Sequence, residues 1–345
     1  MKVLVTGGMG YVGSQLVPEL LADGHEVVAY DLGWFGDGFL PRDNEKLKMV
    51  FADIRDRPSL RAALHGVEAV IHLACVSNDH SCQLDEALST SINYDAFEPL
   101  VLAAKQAGVR RFIYCSSSSV YGVSDAPEVT EDHPLVPLTL YNRYKGMCEP
   151  ILLKHKAENF ECIILRPATV CGYAPRMRFD LTVNIITAHA ALNREITVFG
   201  GNQKRPNLHI KDMCRAYRTM LTAMPAQVNG RTFNIGHENL TVARIAEIAA
   251  EETQLHMGFT PSIKTTESTD NRSYHISSKR IQDELNFTPA LGVRNAMRDL
   301  LVRFKSGMWP DALTNPAFTN VKQLVDKGFA VKDSLASFRQ DRYAK

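Results

Sequence analysis

The chain of 345 residues lacks any long hydrophobic run, and it also lacks an excess of charge of one sign. No run of about 20 apolar residues occurs, so the sequence predicts no membrane-spanning helix. Val3-Leu4-Val5 is too short for a signal peptide and fits a strand. The 39 basic and 38 acidic residues are scattered and give a net charge of +1. We therefore expect neither nucleic acid nor a membrane as a partner.

Paired cysteine spacing is also missing, since the seven cysteines include no C-x-x-C pair. An odd number without such spacing favours free thiols in a reducing compartment over a disulfide framework or a zinc site. The sequence thus predicts a cytoplasmic protein without a metal. A hydrophobic content of 45% supports a sizeable core in one large or two moderate domains.

A glycine-rich turn follows the first predicted strand, over residues 2–5. Thr6-Gly7-Gly8-Met9-Gly10-Tyr11-Val12-Gly13 then leads into an amphipathic helix. Gly7 allows a tight turn, Gly10 lets the backbone approach a pyrophosphate, and Gly13 permits close helix packing. The helix N-terminus, with Tyr11 and Val12, supplies amide donors. This order of strand, turn and helix predicts a dinucleotide site.

An acidic residue ends the second predicted strand. Asp31 lies 18 residues after Gly13, where its carboxylate can accept hydrogen bonds from the adenosine ribose. The same carboxylate would repel a ribose 2'-phosphate, and no Arg or Lys follows before Arg42. The predicted cofactor is therefore NAD rather than NADP.

Three residues indicate the chemistry. Tyr141 and Lys145 are four apart and share one face of a predicted helix, so that the Lys145 cation can favour the Tyr141 phenolate. Ser117, 24 residues before Tyr141, lies at the end of another strand. Tyr141 could accept a hydroxyl proton while Ser117 holds that hydroxyl and a hydride leaves its carbon. The three side chains predict alcohol oxidation.

These motifs, in this order, resemble those of the extended short-chain dehydrogenases/reductases, in the NAD-dependent nucleotide-sugar epimerase/dehydratase family. The resemblance covers residues 1 to about 305. It implies that further residues contact the cofactor: Asp53, Ile54, Leu73, Ala74 and Val170. Asp53, His72 and Asn93 also stand at landmark positions of the family. The alternative interpretation is structural: Asp53 as a helix cap, His72 as a core histidine and Asn93 as a helix-packing amide.

The resemblance also implies a nucleotide-sugar substrate, whose diphosphate requires cations. Arg205 and Arg272 occupy positions similar to the diphosphate-contacting arginines of the family. Arg176 and Arg178 either assist them or are solvated surface charges. Four further residues are expected to meet the sugar: Ser77, Asn78, Ser118 and Ser119.

Ser118 and Ser119 bear on the reaction, because the 4,6-dehydratases of the family carry an Asp-Glu pair at these positions. A serine hydroxyl does not exchange protons as a carboxylate does, so dehydration is disfavoured. Epimerisation at C4 needs only Ser117, Tyr141 and Lys145. Two alternatives stay open. The first is a C4 dehydrogenase that oxidises a nucleotide sugar such as GDP-heptose, because Pro175-Arg-Met-Arg-Phe-Asp180 resembles a segment of heptose-nucleotide C4 dehydrogenases. The second is a non-catalytic protein that uses the same fold to sense NAD.

Alternating strand and helix signals through residue 170 predict an α/β Rossmann fold, a doubly wound parallel sheet with a smaller, discontinuous C-terminal lobe. We expect a cofactor domain over 1–170 with return segments near 208–236, and a substrate lobe over 171–207 and 237–307. We expect residues 308–345 to form either a terminal helix or an oligomer contact. The resemblance further implies a homodimer through the helices carrying residues 93–107 and 141–156, and a role in polysaccharide or glycan precursor synthesis.

Overall fold

The computed structural model describes residues 1–124, 126–267 and 273–326. Its strands are β1 (Lys2–Thr6), β2 (Glu26–Asp31), β3 (Leu47–Phe51), β4 (Ala69–His72), β5 (Arg111–Cys115), β6 (Glu161–Pro167), β7 (Thr169–Cys171), β8 (Glu195–Phe199), β9 (Lys204–His209), β10 (Arg231–Ile235), β11 (Glu238–Thr241) and β12 (Ser262–Thr266). Its α-helices are α1 (Tyr11–Ala22), α2 (Arg57–Ala63), α3 (Asp79–Leu84), α4 (Glu86–Thr90), α5 (Phe97–Gln106), α6 (Leu140–Lys154), α7 (Thr182–Asn193), α8 (Ile210–Thr222), α9 (Pro225–Val228), α10 (Val242–Met257), α11 (Lys279–Leu285), α12 (Val293–Lys305) and α13 (Asn320–Asp326).

The central sheet has seven parallel strands in the order β10-β6-β5-β4-β1-β2-β3. Its inner strands are runs of apolar residues because helices cover both faces, and the side chains of Val3, Leu4 and Val5 are fully buried. The predicted doubly wound sheet is confirmed. Within the described ranges, no helix combines the length and apolarity that crossing a membrane requires.

A second, smaller lobe contains the three-stranded sheet β11-β9-β7 and the parallel pair β12-β8. Helices α7, α10 and α12 pack together beside these strands. The chain passes back to the central sheet through α8, which packs on α1, and through β10. The segment after Gly307 folds against this lobe: Trp309 is buried, and its ring lies 5.2 Å from that of Phe179.

A buried ion pair fastens α6 to the sheet. Arg166, in β6, donates to both carboxylate oxygens of Glu149, in α6, at 2.9 and 2.6 Å. Ser116, at the end of β5, donates its hydroxyl to the same carboxylate at 2.6 Å. Burial alone would lower the pKa of Arg166, but the paired Glu149 raises it above its ordinary value. One carboxylate therefore connects α6 with two neighbouring strands.

Replacing Arg166 by methionine should leave Glu149 charged and unpaired in the interior. Breaking a buried pair in this way costs about 3–5 kcal/mol of the free energy of unfolding, measurable by urea denaturation. The double variant Arg166→Met/Glu149→Met should recover much of that loss. Arg218→Met, which removes a partly exposed pair with Asp23, is the control and should cost about 1 kcal/mol or less. Equal losses for both arginines would contradict this account.

His72 is a core residue, as one of the alternatives from sequence has it. Its side chain is 4% exposed, and its Nδ1 lies 2.7 Å from Thr6 Oγ1. The ring packs between those of Phe97 and Tyr114, with centroids 5.5 and 5.8 Å away. Burial, assisted by the charge of Lys145, lowers the pKa of His72 to about 3. The folded protein thus keeps this imidazole neutral.

The lowered pKa of His72 predicts a pH dependence of stability. Below a pH of about 6.5 His72 is protonated in the unfolded chain, whereas in the folded chain it stays neutral down to a pH of about 3. The free energy of unfolding therefore falls as the pH falls through this window. Between pH 6.5 and 5 the loss from this group is about 2 kcal/mol. Denaturation of His72→Gln across this window should show a shallower slope, whereas the surface control His65→Gln should follow the wild type. Parallel slopes for His72→Gln and wild type would refute the assignment.

Candidate functional site

A cavity of about 480 Å³ opens at the carboxyl ends of the central strands. In a doubly wound sheet this is the edge at which ligands bind. The walls include every described residue that the sequence assigns to the cofactor, the substrate or catalysis. Arg272 lies outside the described residues. The motifs dispersed along the chain therefore converge on one pocket.

The glycine turn forms the floor of this cavity under the N-terminus of α1. Gly7 has a φ of +73°, and a Cβ placed on it would lie 2.8 Å from the backbone nitrogen of Ala74. A Cβ on Gly13 would lie only 2.4 Å from the carbonyl oxygen of Gly7. The turn thus has space for the backbone but for no side chain. Such a cradle fits the diphosphate of a dinucleotide.

The acidic residues near the end of β2 and after β3 are held by the protein itself. Asp31 accepts hydrogen bonds from the backbone nitrogens of Met9, at 3.0 Å, and Gly33, at 2.8 Å, and burial raises its pKa. Asp53 binds the guanidinium of Arg55 at 2.6 Å. The helix-cap alternative for Asp53 is wrong, because Asp56 caps α2. Asp53 and the neighbouring Ile54 remain buried parts of the cavity wall.

Two predicted residues use their side chains to hold the scaffold. The Tyr11 hydroxyl donates to the carbonyl oxygen of Gly172 at 2.6 Å, which joins α1 to the smaller lobe. Asn93 accepts from the backbone nitrogen of Val76 at 2.8 Å and donates to its carbonyl oxygen at 3.0 Å. Asn93 thus fixes the loop after β4, whereas the alternative from sequence had its amide packing a helix.

Tyr141 and Lys145 come together at the start of α6. The Lys145 nitrogen lies 5.8 Å from the centre of the Tyr141 ring and donates to the carbonyl oxygen of Cys115 at 2.6 Å. Burial raises the pKa of Tyr141 well above its ordinary value, and Arg178 is the cation that opposes this rise. The expected lowering by Lys145 is therefore corrected, since desolvation of the phenol outweighs the nearby charges.

A line of hydrogen bonds leads from Ser117 into α6. The hydroxyl oxygens of Ser117 and Ser119 are 2.7 Å apart, and Ser119 donates its hydroxyl to Asn142 Oδ1 at 2.5 Å. An amide oxygen only accepts, so the remaining proton of the pair runs from Ser117 to Ser119. Ser117 is thereby held in place, and its oxygen also accepts from the backbone nitrogen of Ser119 at 3.2 Å. The neighbouring Ser118 is almost fully buried, with 1% of its surface exposed.

A second polar cluster lines the opposite wall. Arg178 pairs with Asp180 at 2.8 Å and donates to the Ser77 hydroxyl at 3.3 Å. Asn78 caps α3 by accepting from the backbone nitrogen of Ser81 at 2.8 Å. Arg205 lies further out, with its guanidinium carbon 5.6 Å from the centre of the Tyr274 ring. Neither Arg178 nor Arg176 is a solvated surface charge, because both are buried.

The model of the NAD dependent epimerase/dehydratase family matches residues 3–236. The chain belongs to this family. NAD, the cofactor predicted from Asp31, is confirmed.

All seven cysteines are free thiols, again as predicted.

Similar proteins carry more than one activity. A UDP-glucose 4-epimerase of Mycolicibacterium smegmatis is 32% identical over 249 residues, 68% of this chain and 77% of that protein. A dTDP-glucose 4,6-dehydratase of Streptomyces griseus is 28% identical over 306 residues, 86% of this chain and 91% of that protein. The solved structure of MoeE5 in complex with UDP-glucuronic acid and NAD has a TM-score of 0.78 at 27% identity, covering 89% of this chain and all of that one.

Within this family fold, the sequence analysis assigned no role to three residues of the pocket. Asn142 directly follows Tyr141, but a lone amide in a helix gives no signal of a serine partner. Asp180 was visible only as a neighbour of the arginines. Asn320, which lines the cavity from α13, lies beyond the stretch that resembles the family.

Proposed function

We propose that the protein is an NAD-dependent nucleotide-sugar epimerase that works through a transient 4-keto intermediate, most simply at C4 of the sugar. The observation that carries the proposal is the Ser117–Ser119–Asn142 line beside Tyr141 and Lys145. This arrangement offers groups that hold and move one proton. It offers no carboxylate at positions 118 and 119.

In this proposal Tyr141, as the phenolate, takes the proton of the sugar hydroxyl and later returns it. Ser117 turns its own proton from Ser119 to the oxygen of that hydroxyl and holds it by donating a hydrogen bond. Burial opposes the charge of Lys145, yet its surroundings raise its pKa, and its nitrogen donates to the carbonyl oxygen of Cys115. Bound NAD supplies the chemistry of accepting a hydride and giving it back. Epimerisation follows if the keto-sugar turns over between the two steps.

Dehydration needs an acid and a base placed for water elimination, and the carboxylates of the wall support that role poorly. Asp180 is ion-paired with Arg178, which holds its pKa below the ordinary value against the effect of burial. Asp79 accepts from the Thr139 hydroxyl at 2.6 Å. These engagements favour an epimerase, or a C4 dehydrogenase, over a 4,6-dehydratase.

The nucleotide-sugar substrate is inferred from the similar proteins, whose names include UDP-glucose, dTDP-glucose and UDP-glucuronic acid. Arg178 and Arg205 are our candidates for cations near its diphosphate, with Ser77 and Asn78 on the sugar side. A homodimer through α5 and α6 is part of the proposal, and Leu102 and Met147 are exposed apolar side chains on these helices. A cytoplasmic role in polysaccharide or glycan precursor synthesis agrees with this substrate class.

The reaction is tested by incubating the NAD-loaded protein with UDP-, GDP-, dTDP- and CDP-sugars, without added reductant, and identifying products by mass spectrometry and NMR. We expect an isomer of unchanged mass with an inverted C4 proton. Tyr141→Phe, which lacks the hydroxyl, should abolish its formation. Loss of two hydrogens would instead assign a C4 dehydrogenase, and loss of water would overturn the argument from Ser118 and Ser119. An unaffected Tyr141→Phe would contradict the proposed proton transfer.

Asn142→Ala should slow turnover of the sugar that the protein converts, because Ser119 loses its acceptor and the line that holds Ser117 in place is broken. We expect kcat to fall about tenfold, as for the loss of one hydrogen bond worth about 1.4 kcal/mol, with KM little changed. Ser119→Ala should act through the same line, so the double variant should be no worse than either single one. Asn193→Ala, at the exposed end of α7, is the control. Additive losses, or an effect confined to KM, would contradict the positioning role.

A further inference from the structure

Two buried arginines lie two residues apart in the pocket, and only one of them has a counter-ion. Arg178 makes two hydrogen bonds to Asp180, at 2.8 and 3.0 Å. Arg176 is 2% exposed and forms no ion pair with any carboxylate among the described residues. Its Nη2 donates to the neutral amide oxygen of Asn320 at 2.6 Å, whereas its Nε is buried without a hydrogen-bond partner.

A buried guanidinium without a paired carboxylate is unfavourable, because the charge has lost its water and no anion contacts it directly. The guanidinium carbon of Arg176 lies 3.9 Å from the centre of the Phe35 ring. Burial, and next the repulsion by Arg178, lowers the pKa of Arg176 to about 9. The protein has nonetheless packed this cation into the cavity wall. An anionic ligand would supply the missing charge.

Arg176 lies next to the part of the pocket that is predicted to hold the cofactor. Its backbone nitrogen donates to the Ser14 hydroxyl at 3.1 Å, so the residue lies against the first turns of α1. The charge of Asp31, at the ribose end of the cofactor site, acts on Arg176 as well. In a Rossmann domain, the dinucleotide diphosphate binds at the N-terminus of this helix.

We propose that Arg176 binds the diphosphate of NAD, and not that of the nucleotide sugar as the sequence predicts, with Asn320 as its positioning residue. The Asn320 amide nitrogen donates to the Ser77 hydroxyl at 2.8 Å, which turns the amide oxygen toward Arg176. The Asn320 backbone nitrogen is held by Asp180 at 3.1 Å. Helix α13 therefore contributes to the cofactor site, and docking of this helix is linked to NAD binding.

The proposal is tested by calorimetric titration of cofactor-stripped protein with NAD, ADP-ribose and adenosine. Only the first two probes carry a diphosphate. Arg176→Met should weaken NAD and ADP-ribose about 10- to 100-fold, as for one lost charge-assisted hydrogen bond, and should leave adenosine unchanged. Arg176→Lys should fall between, and Asn320→Ala should lose less than Arg176→Met. Arg244→Met, an exposed helix arginine with its own acidic partners, is the matched control.

Thermal unfolding separates a binding role from a structural one. Arg176→Met removes an uncompensated charge, so the stripped variant should be at least as stable as the stripped wild type, while the rise in Tm on adding NAD should shrink. A stripped variant that unfolds earlier yet binds NAD as before would overturn the proposal. So would unchanged NAD affinity with weakened UDP binding to the NAD-loaded protein. None of these readouts requires sugar turnover, so their failure is distinct from a failure of the proposed epimerase activity.

Discussion

The buried pair between Glu149 and Arg166 is the interaction on which the geometry of the site depends. Glu149 lies one turn after Lys145 on α6, and Arg166 lies in β6. Ser116, the neighbour of Ser117, donates to the same carboxylate. The proposed proton-transfer groups therefore have one shared anchor. Since the pair is buried and bidentate, small shifts of α6 relative to the sheet are opposed directly.

The pocket is also a product of contacts between the lobes. Tyr11, in α1, bonds the carbonyl oxygen of Gly172, and Arg176 bonds the hydroxyl of Ser14. Asn320 then joins the end of the described chain to both Arg176 and Ser77. The glycine turn, the segment after β7 and α13 thus close around one cavity. The residues predicted for the cofactor and those proposed for the substrate are parts of a single polar network.

The central sheet, the glycine turn and the approach of Tyr141 to Lys145 could be predicted from sequence because they follow from local periodicity and spacing. Asn142 could not, since its partner Ser119 is 23 residues away and no pattern joins them. The sequence does not distinguish Arg176 from Arg178, and only the fold shows that Asp180 pairs with Arg178. The direction of the Tyr141 pKa was mispredicted for a similar reason: spacing supplies a neighbour, whereas desolvation depends on everything packed around the phenol.

The two arginines differ in how their charges are balanced. Arg178 is the cation that opposes the rise in the pKa of Tyr141 caused by burial, and it is itself ion-paired with Asp180. Burial and the charge of Arg178 depress the pKa of Arg176, which has no such carboxylate partner. A diphosphate on Arg176 would offset this repulsion. Cofactor binding would therefore supply the counter-charge of one arginine, whereas Asp180 already supplies that of the other.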